Sequence, residues 1–349
     1  MKQVKEALNA LLSQVPSVRI LRWETTRGRV PARGSAAQPD LGIELFAGGR
    51  PWRLLVQATS SGEPRMVRAG IQSLTARVPK SGRAYGVLAA PHLGPMSQQI
   101  CREARVGFLD LAGNCRLVFD QVFIERLGSP KPAVERRALR SLFSPKAGRA
   151  LRVLLAAPRR RWRLQALALE ARVSLGLAFK VKQRLLDLEY AAQDAAGIRL
   201  SRPEELLRAW SASYVYLKSA ALDCYASGDQ AAAERALGEY CRARPVRYGL
   251  ALFSGAARLA PVARSQRGFA YVAADPAAVA RSLGWTPVPS GANFTLLVPF
   301  DEGVWYGTQQ VDGDPVVSDV QLFLDLASFK GRGEEAATAI LEQRLRPRW

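Results

Sequence analysis

Histidine is almost missing from this 349-residue chain, in which His92 is the single example. That excludes a metal centre built from several imidazoles, and it makes any Ser-His-Asp or Cys-His mechanism depend on one residue. His92 follows Ala89-Ala90-Pro91 at the end of an apolar run and reads as a loop residue rather than a catalytic one. Cysteine is scarce as well. Cys101, Cys115, Cys224 and Cys241 are spaced neither as zinc ligands nor as a disulfide framework, so no metal site is expected and a reducing cytoplasm is the default. No apolar run approaches the ~20 residues of a membrane helix. The opening MKQVKEALNALLSQVP carries an acid in an amphipathic pattern and does not read as a signal peptide. Acids are also in deficit, with 30 Asp and Glu against 50 Lys and Arg, a formal net charge of +20. A surplus of this sign suits a polyanionic partner, although an Arg- and Ala-rich composition alone carries little weight.

The informative stretch is Ser144 to Pro203. Ser144-Pro145 is an N-cap followed by proline at the first helical position. Ala147, Ala150, Leu151, Leu154 and Leu155 then recur at helical spacing until Pro158. A basic break with Arg159, Arg160, Arg161 and Arg163 surrounds Trp162. A second helix carries Leu164, Leu167, Ala168 and Ala171 and ends near Val173. Ser174 caps a third helix. Its Leu177, Ala178, Val181, Leu185 and Leu188 form one stripe, and its opposite side presents Leu175, Gly176, Phe179, Lys180 and Gln183. Ala191 to Pro203, with Gly197 as the turn residue, reads as a wing. This order is that of a winged helix-turn-helix. Ser174 and the first helical amides suit a phosphate. Lys180 and Gln183 have the chemistry to read base edges. The expected double-stranded DNA contacts are therefore Arg159, Arg160, Arg161, Arg163, Ser174, Gly176, Phe179, Lys180, Gln183 and Arg199. From Lys131 to Arg163 there are eleven Lys or Arg and one acid, Glu135, which concentrates charge beside the reader helix. A packing-only role is the rival, because Leu175, Phe179 and Leu186 form a second apolar patch suited to a neighbouring domain.

Before this segment, strands and helices alternate. Leu41–Phe46 and Leu54–Ala58 read as strands around the turn Gly48-Gly49. A helix from Arg65 to Val78 follows, then a strand Ala84–Ala90, a helix Ser97–Ala104, and strands Val106–Leu111 and Arg116–Phe119. The order resembles the restriction-endonuclease-like fold. That family's nuclease motif is Pro-Asp, a spacer and Asp/Glu-x-Lys. Pro39-Asp40 is present, but Gln57-Ala58-Thr59 occupies the second position. Gln57 supplies no negative metal ligand and Thr59 no cation. The domain is therefore expected to be inactive. The alternative is a metal-dependent nuclease or repair factor using Asp40, Gln57 and Thr59, with Glu44 or Glu63 compensating. In GFLDLAGN (107–114), Asp110 within an apolar strand is read as bonding nearby backbone at a hairpin turn, ahead of a ligand-binding role.

After Pro203, the helices read are 203–210, 231–241, an apolar one over Tyr248–Ala260, and a final one over Glu334–Leu345. Strands are expected at Phe269–Ala273 and Phe294–Val298, and Val316–Leu326 is an apolar run holding Asp319 and Asp325. Ser254-Gly255 with Asp312 and Asp314 hints at a nucleotidyltransferase, but VDGDP reads better as a turn and the site is incomplete. No phosphate-binding glycine loop is present, and no cofactor is expected.

Four segments, GFLDLAGN (107–114), LFSPKAGRALRVLL (142–155), VSLGLAFKVKQRLLDLEY (173–190) and VVSDVQLFLDLASFKGRGEEAA (316–337), resemble the AbiEi-type antitoxins. The resemblance implies a bacterial transcriptional regulator of a type IV toxin–antitoxin system. It also implies a winged helix for the operator, a C-terminal domain tied to antitoxin activity, and a cognate toxin as partner. The expected chain is α/β and α+β multidomain: a restriction-endonuclease-like α/β domain over 1–132, a winged helix-turn-helix over 133–205 and an α+β antitoxin or regulatory domain over 206–349. The expected partners are duplex DNA, a toxin and a second copy of the chain, with no membrane.

Overall fold

The structure is a computed structural model describing residues 1–25, 40–79, 82–128, 142–216, 219–261, 266–329 and 331–349. It divides into two compact units, Met1–Ala138 with Asp187–Glu189, and Leu139–Leu186 with Tyr190–Trp349.

The first unit begins with α1 (Lys2–Leu12), the amphipathic helix expected at the N-terminus. Three antiparallel strands follow: β1 (Val18–Thr25), β2 (Leu41–Ala47) and β3 (Arg50–Ala58). Then come α2 (Pro64–Thr75), β4 (Ala84–Ala90), α3 (Pro95–Glu103), β5 (Gly107–Asp110), β6 (Cys115–Phe119) and β7 (Val122–Arg126). The seven strands lie in sequence order in one sheet, with β4 parallel to both β3 and β5. The central strands are buried on both faces, which explains their continuous apolar runs. Leu54, Val56, Val87 and Ala89 join Leu8 and Leu12 of α1 in one cluster. Leu55 and Leu88 join Val67, Leu74 and Ile100 of α2 and α3 in the other. Strands β1 and β7, the two edges, went unread in the sequence. His92 stands in the loop after β4, as expected, and is buried there.

Asp110 is also buried, and it takes the backbone role foreseen for it. Its carboxylate accepts from the amides of Leu93, Ala112 and Asn114 at 2.8, 3.0 and 2.8 Å, and from the Asn114 side chain at 2.8 Å.

The second unit opens with three helices, α4 (Pro145–Ala156), α5 (Leu164–Glu170) and α6 (Leu175–Asp187), and a hairpin of β8 (Ala191–Asp194) and β9 (Gly197–Leu200). Ala178, Val181 and Leu185 are the buried stripe of α6; Leu177 and Leu188, placed on that stripe in the sequence, are only half-buried. Gly197 is not the turn residue. The two-residue loop is Ala195-Ala196, because Asp194 pairs with Gly197. Gly197 has φ +141°, and a Cβ there would meet the Trp162 carbonyl oxygen at 2.5 Å. Trp162 pairs with Ile198 on the far side of β9, through N–H···O contacts of 2.8 and 3.0 Å.

Next come α7 (Pro203–Ser211), β10 (Ala220–Tyr225), α8 (Gln230–Ala243), β11 (Tyr248–Leu250), α9 (Leu252–Leu259), β12 (Gly268–Val272), α10 (Pro276–Ser282), β13 (Thr286–Pro287), β14 (Phe294–Val298), β15 (Gln309–Val311), β16 (Asp314–Val316), α11 (Asp319–Ala327) and α12 (Gly333–Ile340). The sheet order is β13-β10-β14-β12-β11-β16-β15.

The single helix expected over Tyr248–Ala260 is instead a strand and a helix. Tyr248–Leu250 is fully buried in mid-sheet, pairing with β12 and β16. Leu252, at φ +43°, turns the chain into α9. A short apolar run buried on both faces looks the same in either state, and its neighbours decide. Asp312 and Gly313, at φ +51° and +85°, form the tight β15–β16 turn, so Asp312 is a turn residue as read. The last helix continues past Ile340 as one wider π turn over Leu341–Leu345.

Candidate nucleic-acid interface

Helix α4 is the fixed part of the three-helix segment. Arg152 is buried within it and donates to the Gln321 amide oxygen of α11 at 3.1 and 2.6 Å, with its guanidinium 4.9 Å from the centre of the Trp210 ring. Burial pushes the Arg152 guanidinium pKa down. Gln321 in turn donates to Asp325 at 2.8 Å and to the Tyr214 hydroxyl at 2.8 Å. Asp325 also accepts from the hydroxyls of Tyr214 and Tyr271, at 3.0 and 3.2 Å. Burial raises the Asp325 carboxyl to about 7. One turn earlier, Arg149 grips Asp301 with bonds of 2.9 and 2.8 Å.

On this base α6 and its cap carry a row of exposed residues. Ser174, Leu175, Gly176, Phe179 and Lys180 are all exposed, and Gln183 is half-buried. The Ser174 hydroxyl accepts from the Leu177 amide at 3.2 Å, the cap expected of it. Gly176 has open space where a side chain would stand. The Phe179 ring lies 5.0 Å from the Lys182 ammonium, a cation not among the expected contacts. Exposed Leu175 and Phe179 leave the second apolar patch uncovered, while Leu186 is half-buried.

The four arginines between α4 and α5 do not act as one cluster. All four are exposed. Arg159 donates to the Trp349 carbonyl oxygen at 2.7 Å. Arg160 stacks on Trp162, 3.8 Å from its ring centre. Arg161 pairs with Asp194 of the hairpin at 2.7 Å. Arg163 precedes α5, and Arg199 stands exposed on β9. Trp162, which the sequence offered only as an aromatic among arginines, anchors this region by its pairing with Ile198; nothing in the spacing reveals that. The basic residues of 131–141 lie outside the described residues, as does Pro39.

The residues of the nuclease alternative meet only in part. Asp40 accepts from the Gln57 side-chain amide at 2.6 Å and from the Ala58 amide at 2.7 Å. The Gln57 amide oxygen accepts from Arg77 at 2.9 Å. Thr59 donates to the Ala89 carbonyl at 3.3 Å instead of joining them. Glu44 stands opposite Arg53 on the β2–β3 ladder, and Glu63 is the N-cap residue of α2. Among the described residues, no three His, Cys, Asp or Glu side chains converge as a metal would need. A neutral amide thus links Asp40 to a guanidinium.

Ser254 is likewise structural: its hydroxyl accepts from the Phe269 amide at 2.9 Å. Asp314 accepts from Tyr248 at 3.1 Å and pairs with Arg258 at 3.3 Å.

No helix among the described residues is long and apolar enough to cross a membrane. No curated protein and no solved structure matches the chain. A family model does match, over residues 199–346, and it is described as a transcriptional regulator, AbiEi antitoxin, of a type IV TA system. The match starts inside β9 and contains the Val316–Ala337 segment that carried part of the resemblance, whereas the other three segments precede it. From Arg199 to Arg346, then, this chain is similar to the AbiEi antitoxin family of transcriptional regulators.

Proposed function

We propose that this protein is a DNA-binding regulator that represses its own operon as an AbiEi-like antitoxin, with residues 144–203 acting as a winged helix-turn-helix. The observation that carries this reading is the exposed face of α6. Ser174, Gly176, Phe179 and Lys180 point outward from a helix whose opposite stripe is buried. A helix held this way presents its first turn to a major groove, and the β8–β9 hairpin with Arg199 lies beside it as the wing. The capped first turn suits a backbone phosphate. Lys180 suits guanine and Gln183 adenine. Arg163 and Arg199 add exposed charge for phosphates.

The first unit is a restriction-endonuclease-like scaffold in this reading. Its helix, three-stranded meander, helix and parallel strand follow that order. The Asp40–Gln57–Arg77 chain supports an inactive form of it, because Asp40 meets a neutral amide in place of a second acid. It serves as a non-catalytic module. The operator is read by a homodimer whose two α6 helices fall about one DNA turn apart. A cognate toxin is the second partner. Four buried, unpaired cysteine thiols suit a reducing cytoplasm.

The test is binding of purified full-length protein to a duplex from its own promoter and to a scrambled duplex across a salt series. Specific regulation requires tighter binding to the native duplex at moderate salt. Equal, steeply salt-dependent binding to both would reduce the interaction to charge alone.

A further inference from the structure

We propose that the second unit binds a small phosphomonoester, of mononucleotide size, in the cavity between the α5–α6 turn and the 302–307 segment. The cavity has a volume of about 640 Å³, a size that holds a small ligand. Leu169 to Arg172, Arg247, Trp305 and Arg149 are among the residues that line it. Binding of this ligand is independent of the DNA-binding reading, and only its effect on α6 rests on that reading.

Charge selects the ligand class. Three arginines line this space, and of these only Arg149 pairs with carboxylates, with Asp301 and with Glu302 at 3.6 Å. No carboxylate pairs with Arg172 or Arg247 among the described residues. Of the two acids in the wall, Glu302 is held by Arg149, and Glu170 accepts from the Tyr306 hydroxyl at 3.0 Å. Arg247 is held in place from one side only, lying 4.8 Å from the Trp305 ring centre and donating to the Trp305 carbonyl at 3.3 Å. Burial, and after it the nearby Arg172 charge, lower the Arg247 pKa, and the Glu302 carboxylate offsets them only in part. An anion between them relieves that repulsion. Guanidinium forks favour phosphate and carboxylate oxygens, and a phosphomonoester dianion answers both arginines at once.

Shape argues for more than a bare ion. Leu169 is 83% exposed at the rim and offers an apolar shelf for a ring. Arg172 has φ +51°, an unusual conformation for a residue with a side chain, and it directly precedes the stretch leading to α6. A ligand drawing on Arg172 therefore acts on the turn that sets the reader helix. That is a route from metabolite to DNA affinity.

Calorimetric titration of the full chain with AMP, ribose 5-phosphate, inorganic phosphate and adenosine tests the proposal. AMP should bind with a dissociation constant below about 1 mM, inorganic phosphate should compete, and adenosine should bind at least about tenfold more weakly. Arg172→Ala and Arg247→Ala should each weaken AMP by about tenfold or more. The Arg172 side chain is exposed, so Arg172→Ala remains a fair variant if Arg247→Ala unfolds, and unfolding midpoints identify that case. Adenosine binding as tightly as AMP, variants binding like the wild type, or no probe binding would each overturn the proposal. Loss of duplex affinity in Arg172→Ala, with none of the probes bound to the wild type, would assign the arginine to the DNA backbone instead.

Discussion

The guanidinium of Arg152, on the first helix of the three-helix segment, donates twice to the side-chain oxygen of Gln321 on α11. Both residues are buried, and Gln321 is bonded in turn to Asp325 and Tyr214. The three-helix segment is thus joined to the C-terminal sheet through a polar core rather than tethered by a linker. Removing one partner from such a core leaves the others desolvated and unmatched.

Arg152→Ala should therefore destabilise the protein by ~3–5 kcal/mol, measured by urea unfolding. Arg152→Met, which keeps much of the volume, should lose less. A change below ~1 kcal/mol for the alanine variant would show that the network contributes little.

Asp325 sets a pH dependence. Its folded carboxyl is raised to about 7 from an ordinary 3.8, chiefly by burial. A raised acid contributes stability that is fully present below the ordinary value and is lost as pH rises through the folded one. Stability should accordingly decline between about pH 4 and about pH 7. Asp325→Asn should flatten this decline. An unchanged profile in the variant would assign the dependence to other groups.

Gly197→Ala places a Cβ 2.5 Å from the Trp162 carbonyl, at φ +141°. The cost should be ~1–3 kcal/mol, with weakened duplex binding from a displaced hairpin. Chemical denaturation and a binding isotherm on the same sample check both effects.

Lys180→Ala should lower duplex affinity and reduce the slope of log affinity against log salt by about 1 if the ammonium meets a phosphate. If it reads a base, discrimination between duplexes should fall by ~1–3 kcal/mol with little change in slope. Gln183→Ala should act on discrimination alone. Neither effect in either variant would remove α6 as the reader.

With magnesium or manganese, supercoiled plasmid should stay intact, because Gln57 occupies Asp40 with a neutral amide and links it to Arg77. Metal-dependent nicking abolished by Asp40→Ala would reinstate the nuclease alternative.

The sequence by itself determined the elements with strong periodicity or punctuation. Ser144-Pro145, Ser174 and the stripe through Ala178, Val181 and Leu185 were sufficient to place α4 and α6, because caps and helical spacing are local signals. Asp110 and the Asp312-Gly313 turn were legible for the same reason. Tertiary structure decided what depends on distant partners. Tyr248–Leu250 became a strand because β12 and β16 flank it. Gly197 is required by the Trp162 backbone, 35 positions away in sequence numbering. The arginines around Trp162 were dispersed to Trp349, to Asp194 and onto a ring. The pocket of Arg172 and Arg247 had no signature at all. Residues 75 positions apart converge only when the sheet and the three-helix segment pack as one unit, and no local pattern encodes that contact.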